Sequence, residues 1–243
     1  MKMKLTKKEV CIVIATYNRA NELDKTIGKL MKNDNVPNKI IIVDQSKEDK
    51  TKKVFEKYRK KLKINYTHLD LPSISEAKKE GIKKAVKNHK LILILDDDVD
   101  LLKDYMDNAL KEFNENEKVM MLAGCETRLL NIENKKKIKK IRNFFKKVFF
   151  LQYKDSNEFR VIGPYGITES EYVNKDVKSE WMPGFNQFFR REVSNQYTLT
   201  LIRGYTVQED VNFSYRVYKK YGKGSLIITP ECKTIHRHSS KER

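Results

Sequence analysis

Three clusters in this 243-residue sequence carry side chains whose types and spacing can do chemistry. Asp96-Asp97-Asp98 follows directly on the apolar run Leu91-Ile92-Leu93-Ile94-Leu95, with Asp100 close behind. Adjacent carboxylates at the end of a buried strand repel one another and are expensive unless something positive neutralises them. A hard divalent cation, Mn2+ or Mg2+, does so and keeps positions open for substrate phosphates. The alternative is that these aspartates cap a helix starting near Leu101, where carboxylates suit the positive N-terminus. Glu209-Asp210 falls on the expected first turn of a later helix. One of the two can serve there as general base toward a hydroxyl nucleophile, or both can simply stabilise the helix end. His236 and His238 are two of only four histidines, and imidazole is a ready metal ligand. At most one of this pair is expected to serve a given site, His236 ahead of His238, which reads as a solvated tail histidine.

The elements that must position these groups alternate. Residues 10–16 form a short apolar run rich in β-branched side chains, which predicts a strand buried on both faces. A polar loop, Tyr17-Asn18-Arg19, leads into a helix over 20–32 with Leu23, Ile27, Leu30 and Met31 at helical spacing. The cycle continues with strand 39–44, helix 51–62, strand 64–68, helix 75–87, strand 91–95, helix 101–113 and strand 119–125. Such alternation predicts an α/β fold with a mostly parallel central sheet and helices on both faces. Ligands in such sheets sit beyond the carboxyl ends of the strands. Three of those ends are polar: Thr16 to Arg19, Asp44, and the aspartate triplet. Between 126 and 180 the alternation lapses. Residues 135–147 hold eight basic residues and no acidic one, with Ile138, Ile141, Phe145 and Val148 on one helical face, and Gly163-Pro164-Tyr165-Gly166 reads as a turn. Strand 185–189, helix 208–221, strand 225–229 and a polar tail follow. One domain over 1–243 is expected, with halves 10–125 and 181–243 around a variable basic insertion at 126–180.

The 51 Lys and Arg against 33 Asp and Glu leave a formal charge of +18. That surplus attracts polyanions: nucleic acid, an anionic membrane face or phosphorylated small molecules. A hydrophobic share of 39% with 9 Gly and 5 Pro excludes disordered and fibrous classes. No apolar run approaches the ~20 residues that span a bilayer, and residues 1–8 lack the apolar stretch of a signal peptide. Cys11, Cys125 and Cys232 lie far apart without zinc spacing, and read as buried hydrophobes of a reducing, cytoplasmic compartment. Residues 142–150 interleave aromatic and basic side chains. A single-strand nucleic-acid platform, an amphipathic helix on an anionic membrane or a helix packed on the core would each use that pattern.

Taken in order along the chain, these segments resemble glycosyltransferase family 2, the inverting GT-A-fold family that transfers sugars from nucleotide diphospho-sugars. Val13-Ile-Ala-Thr-Tyr-Asn-Arg19 is similar to its opening strand and nucleotide loop, and Ile40-Ile-Ile-Val-Asp44 to its second strand. Ser75-Glu-Ala-Lys-Lys-Glu-Gly81 is similar to its Ala-Arg-Asn-x-Gly segment, with Lys78 and Lys79 in place of Arg-Asn. Lysine brings a point charge where arginine grips bidentately. Gln45 stands where a second Asp is frequent. Asp96 to Asp98 match the Asp-x-Asp metal motif, Gly184-Phe-Asn-Gln-Phe-Phe-Arg190 the acceptor-side strand, Glu209-Asp210 the Glu-Asp base motif, and His236 the late histidine.

The resemblance implies that Thr16, Tyr17, Asn18, Arg19, Asp44, Lys78, Asp96 and Asp97 bind the nucleotide sugar, and that Asp98 with His236 holds Mn2+ or Mg2+. It assigns Asp210 as base, Glu209 to orientation, and Trp181, Gly184 and Asn186 to the acceptor. Residues 10–125 become the nucleotide-binding half and 181–243 the acceptor-side half. Trp181, Tyr165 and Phe185 offer rings that can stack on a sugar. The implied activity is metal-dependent, inverting transfer to a hydroxyl of a saccharide or lipid-linked saccharide, as in cell-surface polysaccharide or glycoconjugate assembly. Residues 135–150 are expected to touch the inner membrane face, and no nucleic-acid partner is expected. A sugar-1-phosphate nucleotidyltransferase would want a Gly-rich loop after the first strand, and residues 16–20 contain no glycine. A phosphatase with an aspartyl nucleophile leaves Glu209-Asp210 unexplained. A non-catalytic binder of nucleic acid or membrane would use the charge alone.

Overall fold

The apolar runs become strands because their side chains are buried on both faces, one face per parity. The computed structural model describes residues 4–127, 160–162, 167–169, 175–198 and 209–237. The expected basic helix at 135–147, the turn at 163–166 with Tyr165, Gln208 and His238 lie outside the described residues. The main sheet is built from β1 (Val10–Thr16), β2 (Lys39–Asp44), β3 (Ile64–His68), β4 (Leu91–Leu95), β5 (Val99–Leu101), β6 (Met121–Glu126), β9 (Val177–Lys178), β10 (Asn186–Arg190) and β11 (Leu226–His236). A separate hairpin joins β7 (Arg160–Ile162) to β8 (Ile167–Glu169). The strand order is β3-β2-β1-β4-β10-β6-β11-β5, with β9 paired to β11. Strands β1 to β4 are mutually parallel, and β10 enters antiparallel between β4 and β6.

Val10, Ile12, Ile14, Ile40, Ile42, Leu91, Leu93 and Leu95 face one core layer. That layer is completed by α1 (Ala20–Lys32), α2 (Lys50–Tyr58) and α4 (Tyr105–Glu115). Cys11, Val13, Ile41, Val43, Ile92 and Ile94 face the other, against α3 (Ile74–Ala85) and α5 (Glu209–Tyr221). Helix α3 lies so close to β1 that a Cβ on Gly81 would stand 2.2 Å from Val13 Cγ1. The three cysteines are buried. Among the described residues no helix is long and apolar enough to cross a membrane.

Two expectations are corrected here, and both bear on function. The helix expected over 101–113 begins only at Tyr105; residues 99–101 are strand β5, paired antiparallel with β11. The carbonyls that a helix would use internally are taken elsewhere: Asn33 Nδ2 donates to Leu101 O at 2.8 Å and Asn35 Nδ2 to Leu102 O at 2.8 Å. Asn35 Oδ1 then accepts from Met106 N at 3.0 Å and so caps α4 from a distant loop. The strand expected to stop at 229 runs on to His236, with a register shift between Thr229 and Lys233. Its continuation pairs Ile235 with Asp100 and His236 with Val99. Smaller differences are at helix ends, where the helices expected to reach 62 and 87 stop at Tyr58 and Ala85.

Candidate active site

Parallel register brings the carboxyl ends of β1, β2 and β4 to one edge, with Thr16 opposite Asp44. The aspartate triplet leaves β4 there, and each carboxylate has a cationic neighbour. Asp97 is buried; it accepts from Thr16 Oγ1 at 2.7 Å and pairs with Arg19 Nη1 at 2.8 Å. Burial pushes its carboxyl up to about 7, against the pull of Thr16 and Arg19. Asp98 Oδ2 takes Arg19 Nη2 at 2.5 Å, and its Oδ1 faces His236 Nε2 at 3.1 Å. Burial alone would raise the Asp98 carboxyl; the hydrogen bonds from His236 and Arg19 outweigh it and hold the group well below the ordinary range. Asp96 is half-buried, and its carboxyl is raised by burial and by Asp98, opposed by Lys78.

Asp96, Asp98 and His236 each offer a ligand atom, and those atoms lie within 4.8 Å of one another. Two carboxylate oxygens and an imidazole nitrogen, one of the carboxylates buried, form a donor set suited to Mn2+ or Mg2+. The imidazole is backed by Phe185, stacked on it at 5.1 Å between ring centroids.

Arg237 was not singled out from the sequence, although it builds this edge. Its guanidinium reaches Glu22 Oε2 at 2.7 Å, Glu22 O at 3.0 Å, Thr26 Oγ1 at 2.8 Å and the Asp100 carboxylate. Its backbone N–H donates to Asp98 O at 3.0 Å. The signal was present as buried acids in need of a cation, but Glu22 and Asp100 lie far from Arg237 in sequence. Arg237→Ala leaves both carboxylates without that partner and should cost about 3–5 kcal/mol in a denaturant titration.

Lys78 rises from α3, buried, with its Nζ 3.0 Å from Glu209 Oε1 and 3.8 Å from Asp96 Oδ1. Burial would lower its pKa, but Asp96 and Glu209 together hold it above the ordinary lysine value. Asp210 sits beside Glu209 on the first turn of α5. Its Oδ1 accepts from Val211 N at 2.8 Å, and its carboxyl is raised by burial and then by Glu209. Gln187 Nε2 bridges Asp210 O at 3.2 Å and Met182 O at 3.1 Å, so a second residue passed over in the sequence ties α5 to β10. Gly184 packs against this carboxylate; a Cβ there would stand 3.0 Å from Asp210 Oδ2.

The remaining expected site residues divide. Tyr17 is exposed beside Asn18, whose left-handed φ of 55° turns the loop and whose N–H donates to Ser46 Oγ at 2.8 Å. Asp44 is buried, with Tyr66 Oη donating to Oδ2 at 2.7 Å and Ser46 N to Oδ1 at 2.9 Å. Gln45 braces the loop ahead of α3, donating to Leu71 O at 2.6 Å and accepting from Ser73 N at 3.1 Å. Trp181 is half-buried against the second core layer. Asn186 is fully buried: its Oδ1 accepts from Gly124 N at 2.7 Å and Tyr105 Oη at 3.3 Å. That side chain braces β6 and α4 from within the core.

A mostly parallel sheet with an antiparallel insertion and an aspartate triplet beyond β4 is the GT-A arrangement of nucleotide-sugar glycosyltransferases. The family model described as glycosyl transferase family 2 matches residues 11–198, and the chain belongs to that family. Similar solved structures include S. aureus TarS 1-349 in complex with UDP-GlcNAc, with a TM-score of 0.63 at 14% identity over 93% of this chain and 57% of that one. GalNAc-T7 with UDP, GalNAc and Mn2+ gives 0.66 at 14% identity over 93% and 42%. The mannosyltransferase PcManGT from Pyrobaculum calidifontis with GDP-Man and Mn2+ gives 0.55 at 13% identity over 91% and 56%. The chain thus spans about half the length of these structures. At such identities the likeness concerns the fold. Comparison with curated protein sequences gave no match.

Proposed function

We propose that this glycosyltransferase moves a sugar from a nucleotide diphospho-sugar to a hydroxyl acceptor by a single, inverting, divalent-cation-dependent displacement. The carrying observation is the meeting of the Asp96–Asp98–His236 cluster with Glu209-Asp210 through the shared ammonium of Lys78. UDP-GlcNAc, UDP and GDP-Man in the neighbouring structures support a nucleotide-linked donor. Thr16, Tyr17, Asn18 and Arg19 line the nucleotide side, with Asp44 buried behind them and Asp97 held by Thr16 and Arg19. Asp96, Asp98 and His236 would hold Mn2+ or Mg2+, which when bound supplies Lewis-acid stabilisation of the departing diphosphate. Asp210 takes the acceptor hydroxyl's proton, and the burial that raises its carboxyl strengthens it as a base. Trp181 and Gly184 shape the acceptor side, where a saccharide or lipid-linked saccharide is received. The +18 charge supports work beside an anionic, cytoplasmic membrane face.

A thermal-shift panel of UDP and GDP, with Mn2+, Mg2+ or chelator, tests this reading, because a ligand of the native state raises its apparent stability. A shift that needs the cation is expected. Equal shifts with chelator would remove the metal from nucleotide binding, and no shift with either nucleotide would overturn the donor assignment.

A further inference from the structure

We infer that Lys78 is a positioning residue for the Glu209-Asp210 pair and not a grip on the donor diphosphate, an inference that rests on the glycosyltransferase reading above. The Lys78 side chain is 5% exposed and Glu209's is 12% exposed, so their 3.0 Å contact is made with little water around it. For Lys78 to swing outward to a phosphate, it would have to leave Glu209 as a poorly hydrated carboxylate, and breaking such a pair is strongly unfavourable. The second carboxylate, Asp96 at 3.8 Å, draws the ammonium toward the triplet and not outward.

The surroundings are built for the same purpose. Ser75, one turn earlier on α3, and Tyr197, after β10, place two buried hydroxyls beside this pair. The Tyr197 phenol is pushed up by burial and by Glu209 and Asp210, while Lys78 opposes this. Lys78, Glu209, Ser75 and Tyr197 therefore make a polar floor beneath the start of α5. An ammonium has three donors, and Glu209 fixes one of them. Through Glu209 the ammonium holds the first turn of α5, and with it the direction of the Asp210 carboxylate. Gln187 fixes the same turn from its backbone side. Lys78 on donor-side α3 and Glu209, the neighbour of the base on α5, lie 131 residues apart in sequence and are joined by this contact.

The test uses K78Q, K78R, E209Q and K78Q/E209Q in the full chain. Affinity is read by calorimetry with UDP or GDP and Mn2+, and turnover as nucleotide release from UDP-GlcNAc or GDP-mannose with water as acceptor. K78Q should lower turnover at saturating donor on the order of 10²-fold, the cost of misplacing a reacting group by about an ångström. Nucleotide affinity should stay within about threefold. K78R, which keeps the charge, should recover most of the rate, and K78Q should have no further effect in the E209Q background, since acting through Glu209 makes the two non-additive. The double variant carries no unpaired charge at this contact, so its comparison with E209Q stands even if K78Q alone folds poorly. Multiplying effects of K78Q and E209Q would overturn the inference, as would a tenfold or greater loss of nucleotide affinity in K78Q with turnover retained. A wild type that binds nucleotide but responds in that way sinks only this inference; one that binds neither nucleotide sinks the functional reading and this inference with it.

Discussion

Asp210→Asn is expected to lower sugar transfer by roughly 10²–10⁴-fold while donor affinity stays within a few-fold. A general base acts on the acceptor's proton in the transition state and contributes little to holding the donor. The substitution is nearly isosteric, and the amide oxygen can still accept from Val211 N, so the start of α5 should survive. Glu209→Gln should fall at the lower end of that range, because it loosens the Lys78 contact and leaves the base in place. The pH profile gives an independent readout. Burial and Glu209 raise the Asp210 carboxyl, and a base works deprotonated. Transfer should therefore climb with pH along a limb lying above the ordinary aspartate value of about 3.9, and that limb should vanish in Asp210→Asn. Full transfer in Asp210→Asn with a dead Glu209→Gln would exchange the two roles. Full transfer in both would reduce the pair to a helix terminus.

Asp98→Ala should remove the cation dependence of nucleotide binding, bringing affinity with Mn2+ down to that measured with chelator. The Mn2+ affinity itself should fall by more than about 10²-fold, since even partners of metal ligands typically contribute 10–100-fold. Asp98 is the carboxylate shared by His236 at 3.1 Å and Arg19 at 2.5 Å, so its loss strips the cluster of its central donor. Arg19 keeps Asp97 at 2.8 Å, and the β1–β4 edge should hold. Mn2+ binding followed by paramagnetic resonance separates this outcome from any effect on turnover. Unchanged Mn2+ affinity in the variant would take Asp98 out of the cation site.

The alternation of strand and helix was legible because a strand buried on both faces must be continuously apolar over five to seven residues. Val10 to Thr16 and Leu91 to Leu95 satisfy that locally. Helices α1 and α4 carry their apolar stripes in equally short windows. The aspartate triplet was legible for the same reason: three adjacent carboxylates following an apolar run are a local fact. By itself, then, the sequence determined which segments could be strands or helices, and that a cluster of acids needing positive partners stands at a strand end.

Which partners those acids acquire was decided only by the tertiary structure. Residues 99–101 look like the start of a helix until β11 arrives to pair with them, and that pairing is what delivers His236 to Asp98. Lys78 acquires Glu209 as its partner only when α5 packs beside α3. Asn186 looks available until β6 and Tyr105 consume its amide. Glu22 and Asp100 wait on Arg237 from the far end of β11. In each case a buried polar or charged group must find its partner within the fold, and that partner lies tens to hundreds of residues away. Hydrophobic periodicity records what one segment buries against its own face, and is silent about which distant backbone or charge will stand opposite.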